Sequence, residues 1–138
     1  MMIGRNSSGA GYGMFYDMYT IQDGKLVQVV CGGERDTYEL CKNNIIRYDG
    51  SSGAAHSSDT YCTYADGKLN MIECVLYDGS YGGTRDPYDG IDNDYFLCDS
   101  IIDAKHGIPI TTEEAKQIKG KYKKVGFEFT CFSTVVYE

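Results

Sequence analysis

Six cysteines (Cys31, Cys41, Cys62, Cys74, Cys98 and Cys131) and two histidines (His56 and His106) are the residues of this chain best suited to covalent or metal chemistry. The cysteines stand 10, 21, 12, 24 and 33 positions apart, so there is no C-x-x-C and no set of paired close ligands of the kind a structural zinc site uses. Disulfide-stapled domains are shorter and denser in cysteine. The expected state is therefore mostly reduced, with the thiols serving as small apolar core residues. A thiol-dependent enzyme would need one of these cysteines brought beside His56 or His106 by the fold. The sequence carries no second sign of one, and both histidines fall in segments read as loops.

The segment DPYDGIDND concentrates Asp86, Asp89, Asp92 and Asp94, oxygen ligands of the type Ca²⁺ prefers. An EF-hand loop wants D-x-D-x-D-G followed by a distant Glu, and this order fails. The segment reads as a mobile, solvated acidic loop with no resident metal; Asp89, Asp92 and Asp94 are the carboxylates a cation would use. GAGYG, at Gly9 to Gly13, shares only its glycine content with a phosphate-binding loop, since no strand precedes it and no helix follows. The serines of GSSG and GSYGG, Ser51 and Ser80, lack the G-x-S-x-G nucleophile elbow. No motif implies a cofactor.

Tyrosine gives the clearest pointer to binding. Tyr48, Tyr77, Tyr81 and Tyr88 flank the two long polar segments, where exposed rings beside Asp and Asn could stack on sugars and hydrogen-bond to their hydroxyls. The competing reading makes the same tyrosines cross-strand pairs in a sheet with one wet face. TYADGKL echoes the aromatic-glycine repeats of cell-wall-binding modules, although the chain has no Trp and the wrong period for them.

The elements that must hold these residues follow from composition. With 17 Gly and 13 Tyr but two Pro, the chain favours many short strands joined by tight turns. At 138 residues it is the size of one domain and can bury a real core. No apolar run approaches the roughly 20 residues of a membrane helix. Twenty acidic against thirteen basic residues give a net charge of −7, which repels a phosphate backbone. Nucleic acid is excluded as a partner on that ground.

Two phrases, TIQDGKLVQVVC (Thr20 to Cys31) and TYADGKLNMIEC (Thr63 to Cys74), repeat at an offset of 43 residues. Asp-Gly between strand-like segments closes a type I′ hairpin, so Asp23-Gly24 and Asp66-Gly67 predict two equivalent hairpins with Gln22 facing Lys25 and Ala65 facing Lys68. Unbroken alternation then puts Tyr16, Met18, Val27, Val29 and Cys31 on one buried face, and Tyr61, Ile72, Cys74 and Leu76 on its counterpart. Cys31 and Cys74 are accordingly expected to be buried and not bonded to each other. TYELCKNNIIRY predicts a further hairpin turning at Asn43-Asn44. YDGSSGAAHSSD and YDGSYGGTRDPYDGIDND read as long loops, and YFLCDSII as another strand. After Pro109, Thr111 and Glu114 stand in capping-box spacing ahead of a helix that presents Ala115, Ile118 and Tyr122 on one face. Five lysines between 116 and 124 read as its solvated surface. VGFEFTCF then predicts a final strand.

YDMYTIQDGKLVQVV, NNIIRYDGSSG, TYADGKLNMIE and ITTEEAKQIKGKYKKVGFEFTCFS together resemble the repetitive β-rich regions of uncharacterised exported proteins and lipoproteins of gut Firmicutes. The resemblance implies an extracytoplasmic setting, on the cell surface or secreted, and no particular activity. Such relatives often carry an Asp-rich segment ending in a strand and Ile-Gly just upstream. MMIG resembles the end of that strand, while MMIGRNSSGAGYG shows no export signal. This chain is on that reading a fragment of a longer exported protein, with a Tyr-rich sheet edge near Tyr12 to Tyr19 open to self-association.

The fold expected is α+β and mostly antiparallel: a meander of hairpins in a single domain spanning 1–138, with units at about 12–48 and 58–77, one helix at about 112–123 and a final strand. The function expected is a non-catalytic extracytoplasmic binding or spacer domain, whose partner is a cell-surface glycan or protein. The alternatives are a carbohydrate- or cell-wall-binding module using exposed tyrosines, and a thiol-dependent enzyme.

Overall fold

Asp23-Gly24 and Asp66-Gly67 both close two-residue turns in which each central residue has positive φ, 50° and 71° in the first and 51° and 76° in the second. This is the geometry whose twist matches that of the flanking strands. The computed structural model describes residues 3–5, 13–79 and 94–126. Its strands in chain order are β1 (Ile3–Arg5), β2 (Met14–Phe15), β3 (Asp17–Gln22), β4 (Lys25–Cys31), β5 (Asp36–Cys41), β6 (Ile45–Gly53), β7 (His56–Ala65), β8 (Lys68–Asp78), β9 (Tyr95–Cys98) and β10 (Ile108–Ile110), and the helix α1 covers Thr112–Lys121. The two Asp-Gly turns join β3 to β4 and β7 to β8, with Gln22 opposite Lys25 and Ala65 opposite Lys68.

The strands form two sheets with antiparallel pairing throughout, one in the order β1-β3-β4 and one in the order β10-β9-β8-β7-β6-β5-β2. The architecture is thus an antiparallel α+β meander with one C-terminal helix. The chain leaves the large sheet after β2 and returns to it after β4. At that return the Gly32 N–H donates to the Tyr16 carbonyl at 2.7 Å. A Cβ at Gly32 would collide with the backbone carbonyl of Asp36, so the junction accepts only glycine.

Each repeated hairpin carries a β-bulge at the same place. Met18 pairs with Val30 and Tyr19 with Gln28, which leaves Val29 unpaired; Tyr61 pairs with Glu73 and Cys62 with Met71, which leaves Ile72 unpaired. A bulge puts two residues opposite one and breaks the period of two, and this corrects the faces expected from unbroken alternation. Met18 and Val30 point into the core, while Val27 and Val29 are half-buried and Cys31 is exposed. Ile72 is also exposed, and Tyr61 lies on the opposite face from Cys74 and Leu76. Cys31 and Cys74 do hold equivalent ladder positions, opposite Asp17 and Thr60. Their burial differs because β4 ends the small sheet, whereas β8 sits between β7 and β9 in the large one.

One face of the large sheet packs Phe15 and Ile46 against Met18 and Val30 of the small sheet, and Cys74, Leu76, Phe96 and Cys98 against Ala104. The other face packs Val75 against Ile110 and Ala115, and Cys41, Ile45 and Tyr61 against Tyr122. Each large apolar side chain buried in this way contributes about 1.5–3 kcal/mol, against about 1 kcal/mol net for a hydrogen bond. These clusters therefore hold the layers together. The helix begins as its sequence predicts: the Glu114 N–H donates to Thr111 Oγ1 at 3.2 Å, and the Thr111 N–H donates to Glu114 Oε2 at 2.8 Å.

Two segments differ from expectation. YDGSSGAAHSSD is a pair of strand ends rather than a loop, because Asp49, Gly50 and Ser51 continue the β6 ladder opposite Asp59, Ser58 and Ser57. His56 is accordingly the first residue of β7. These Gly and Ser positions are weak strand formers, and pairing on both sides overrides their propensity. Ile108–Ile110, read as the approach to the helix, adds β10 at the sheet edge. Beyond α1, the Val125 N–H donates to the Leu40 carbonyl and the Lys42 N–H to the Lys123 carbonyl, each at 2.8 Å. The expected final strand lies mostly outside the described residues.

Candidate functional site

The two sheets part where β3 passes over the corner between β5 and β6. The cleft there has a volume of about 350 Å³ and is lined by Met18, Tyr19, Thr20, Leu40, Asn44, Ile46 and Tyr64. The corner is sharp because Asn43 and Asn44 both take left-handed backbone, with φ of 62° and 58°, a conformation Asn tolerates better than most residues. That turn brings Asn44 to the cleft. On the opposite wall, the bulge at Val29 lies across from Met18 and Tyr19. Met18 continues into the buried cluster with Phe15, Val30 and Ile46. Tyr19 stays half-exposed, its hydroxyl accepting from Gln28 Nε2 at 3.2 Å.

The lining sorts into an apolar set (Met18, Leu40 and Ile46), two aromatic rings (Tyr19 and Tyr64) and two neutral polar groups, the Thr20 hydroxyl and the Asn44 amide. It includes no carboxylate, amine, imidazole or thiol. Apolar walls with a few convergent hydrogen-bonding groups are the usual make-up of a small-molecule site. The chain matches no protein-family model, no curated protein and no solved structure. The chemistry of the site therefore rests on its own residues.

Of the tyrosines singled out by sequence, the two described, Tyr48 and Tyr77, lie on opposite faces of the large sheet. Tyr48 lies on the face that carries the small sheet, its ring 5.2 Å from that of Tyr38 and its hydroxyl donating to Asp36. Burial, reinforced by Asp36, pushes that hydroxyl well above the usual phenol range. Tyr77 lies on the helix face, 5.2 Å from the ring of Tyr95. Both are half-buried cross-strand partners. Tyr81 and Tyr88 lie outside the described residues, as do Asp89 and Asp92. The Asp94 carbonyl accepts from the Asp78 N–H at 2.8 Å, and among the described residues no group of three or more His, Cys, Asp or Glu could hold a metal ion. His56 Nδ1 is paired with the Ser52 hydroxyl at 2.9 Å, and His106 Nδ1 with Asp103 at 3.2 Å. Cys31 is exposed, and Cys41, Cys62, Cys74 and Cys98 are buried free thiols.

A second constellation, invisible in the sequence, lies under the helix. Arg47 on β6 donates to Glu39 on β5, to Asp49 on its own strand and to Asp59 on β7. Lys119 of the helix also pairs with Asp59, and Lys124 with Glu39 at 2.7 Å. Lys121 and the Tyr122 hydroxyl both reach Glu73, and the Tyr122 ring stacks on Tyr61 with centroids 3.7 Å apart. The lysines read as a solvated surface therefore divide, three of them clamping the chain to acidic residues of the sheet. Burial opposes the Arg47 charge, but Asp59, Glu39 and Asp49 overcome it and hold the guanidinium firmly protonated. Glu39 and Asp59 are two buried carboxylates bridged by cations, an arrangement in which removing one partner leaves an uncompensated buried charge.

Proposed function

We propose that this chain is a non-catalytic extracytoplasmic binding domain whose ligand occupies the cleft between its two sheets. The observation that carries the reading is the lining: three aliphatic side chains, two tyrosines, one hydroxyl and one amide around about 350 Å³. Such a site suits a small uncharged molecule with an apolar body and one or two hydrogen-bonding groups. The extracytoplasmic setting follows from the resemblance to exported proteins and lipoproteins, and a role as spacer within a longer protein is compatible with it.

Ligand-observed NMR against a panel of neutral aromatic, aliphatic and saccharide fragments tests the reading, with Leu40→Trp as a variant that fills the cleft. The expected result is saturation transfer to at least one fragment class in the parent and its loss in Leu40→Trp, while the thermal transition of the variant is retained. Binding that survives Leu40→Trp places the ligand elsewhere and overturns the assignment.

A second reading is a carbohydrate- or cell-wall-binding module. Tyr19 and Tyr64 in the cleft favour it, since tyrosine rings stack on sugar C–H faces while the Asn44 amide and Thr20 hydroxyl can meet sugar hydroxyls. Saccharide fragments as the responding class, with co-sedimentation on cell-wall polysaccharide abolished by Tyr64→Ala, decide for it.

A further inference from the structure

Cys74 on β8 and Cys98 on β9 are direct partners in the antiparallel ladder. The Asp78 N–H donates to the Asp94 carbonyl at 2.8 Å further along the same two strands. Hydrogen-bonded and non-hydrogen-bonded positions alternate, so Cys74 and Cys98 occupy a hydrogen-bonded position, where Cα atoms stand about 5.5 Å apart. Disulfides span Cα separations of about 4.4–6.8 Å. The register alone thus brings the Cα atoms within the range of a disulfide, while the Cβ atoms of such a pair, near the upper end of about 4.5–5.5 Å, close to about 3.5–4.5 Å as the bond forms.

Both thiols are free and share one buried cluster with Leu76, Phe96 and Ala104. Their present partners are weak ones: the Thr60 hydroxyl donates to Cys74 Sγ at 3.3 Å, and Cys98 Sγ donates to the Asp103 carbonyl at 3.9 Å. The segment 99–107 closes over the pair. Its turn is held by the Asp103 carbonyl, which accepts from the His106 and Gly107 N–H groups at 3.0 and 2.9 Å. A Cβ at Gly107 would stand 3.2 Å from Cys98 Sγ and 2.8 Å from Phe96 Cβ, so a glycine lets the segment lie this close.

We propose that Cys74 and Cys98 form a cross-strand disulfide when the chain folds in the presence of a low-molecular-weight disulfide such as oxidised glutathione. One cysteine thiolate attacks the glutathione disulfide and releases one reduced glutathione, leaving a mixed disulfide. The second cysteine thiolate then displaces the other glutathione and closes the protein bond. Two protein thiols are oxidised, one glutathione disulfide is reduced to two thiols, and the protons lost by the cysteines are taken up by the glutathione thiolates. The exchange belongs to the folding chain, after β8 and β9 pair and before segment 99–107 packs, because the folded protein buries both sulfurs. Once made, the bond ties β9, and with it β10 and the helix, to the centre of the sheet. The inference goes beyond the binding reading and stands whether or not the cleft takes a ligand.

The test is to refold the reduced, denatured chain in a glutathione redox buffer and, in parallel, in dithiothreitol, then alkylate the remaining thiols, digest without reduction and map the peptides by mass spectrometry. The expected result is a peptide pair joined through Cys74 and Cys98 in the glutathione sample and absent from the dithiothreitol sample. Recovery of Cys74 and Cys98 as alkylated or glutathionylated residues, or joined to other cysteines, overturns the proposal. The mapping uses the unsubstituted chain, so no variant has to fold for the result to count.

Discussion

Val29 and Ile72, 43 positions apart, are the unpaired residues of two β-bulges at the same point of two repeated hairpins. The repeat thus preserves a departure from regular pairing as well as a turn. Bulges raise local twist and re-aim the side chains beside them, and the first one lies across from Met18 and Tyr19, two of the three β3 residues that line the cleft.

Removing a bulge residue should be milder than removing a laddered one. Deleting Ile72 lets Met71 and Glu73 become consecutive partners of Cys62 and Tyr61, whereas deleting Thr63, on the strand opposite the bulge, cannot be absorbed by it and so throws the turn out of register and turns its flanking side chains over. Both residues are exposed, so lost burial does not bias the comparison. Urea denaturation should place the Thr63 deletion below the Ile72 deletion by about 1 kcal/mol or more, the scale of one or two lost hydrogen bonds. The reverse order would mean that the bulge is indispensable to the hairpin.

The Asp-Gly turns make a second case. Gly24→Val and Gly67→Val each force a β-branched residue to positive φ, at a cost of roughly 1–3 kcal/mol. A side chain at Gly67 also meets the Gln22 side chain, while Gly24 has nothing within 4 Å. Gly67→Val is therefore the more damaging of the two, and Gln22→Ala should bring it level with Gly24→Val. Equal losses in the parent background would show that Gln22 swings aside freely.

Arg47 supplies a third. Arg47→Met leaves Glu39 and Asp59 buried with only the lysines to balance them, and removing one partner of a buried charge cluster costs about 3–5 kcal/mol. Arg47 keeps 16% side-chain exposure, which points to the lower end of that range. Arg47→Lys recovers only part of the loss, since an ammonium cannot fork between three carboxylates. A measured loss below about 1 kcal/mol for Arg47→Met would remove the cluster from the list of things that hold the layers together.

Alkaline pH gives a fourth. Burial pushes the Cys74 thiol up from 9.0 to about 11, with smaller upward shifts at Cys41, Cys62 and Cys98. Between those two values the unfolded chain releases a proton that the folded chain keeps, so stability falls as pH rises and is unaffected by this group below pH 9. Buried Tyr61 and half-buried Tyr48 and Tyr122, each raised by desolvation, add to the fall above the ordinary phenol range. The urea midpoint of the chain kept reduced, measured from pH 8 to pH 11, should decline, less steeply in Cys74→Ala; a flat profile contradicts it.

Turns and caps were legible because their chemistry is local: Asp-Gly, Asn-Asn and Thr-x-x-Glu each satisfy backbone demands within four residues. The bulges were not, since no residue type marks Val29 or Ile72, and the single faces inferred across them come apart: Met18, Cys74 and Leu76 are buried as expected, while Cys31 and Ile72 are exposed and Tyr61 lies on the other face. Gly50 and Ser51 read as loop because their strand character comes from neighbours on both sides. The cleft was hidden for a similar reason. Met18, Leu40, Ile46 and Tyr64 come from four strands in two sheets, and only the stacking of those sheets assembles them. The Arg47 cluster joins residues up to 85 positions apart, with no local signature.

The pairing of residues 123–125 with Leu40 and Lys42 has a kinetic meaning. From β6 to β10 each strand pairs with its predecessor in the chain, so these contacts close short loops and can form early. The return of the chain to β5 closes a loop of some eighty residues and has no surface to dock on until the sheet exists. It belongs after the rate-limiting step. Weakening it through Lys124 should hasten unfolding and leave the folding rate nearly unchanged, the mark of a latch that forms last and opens first.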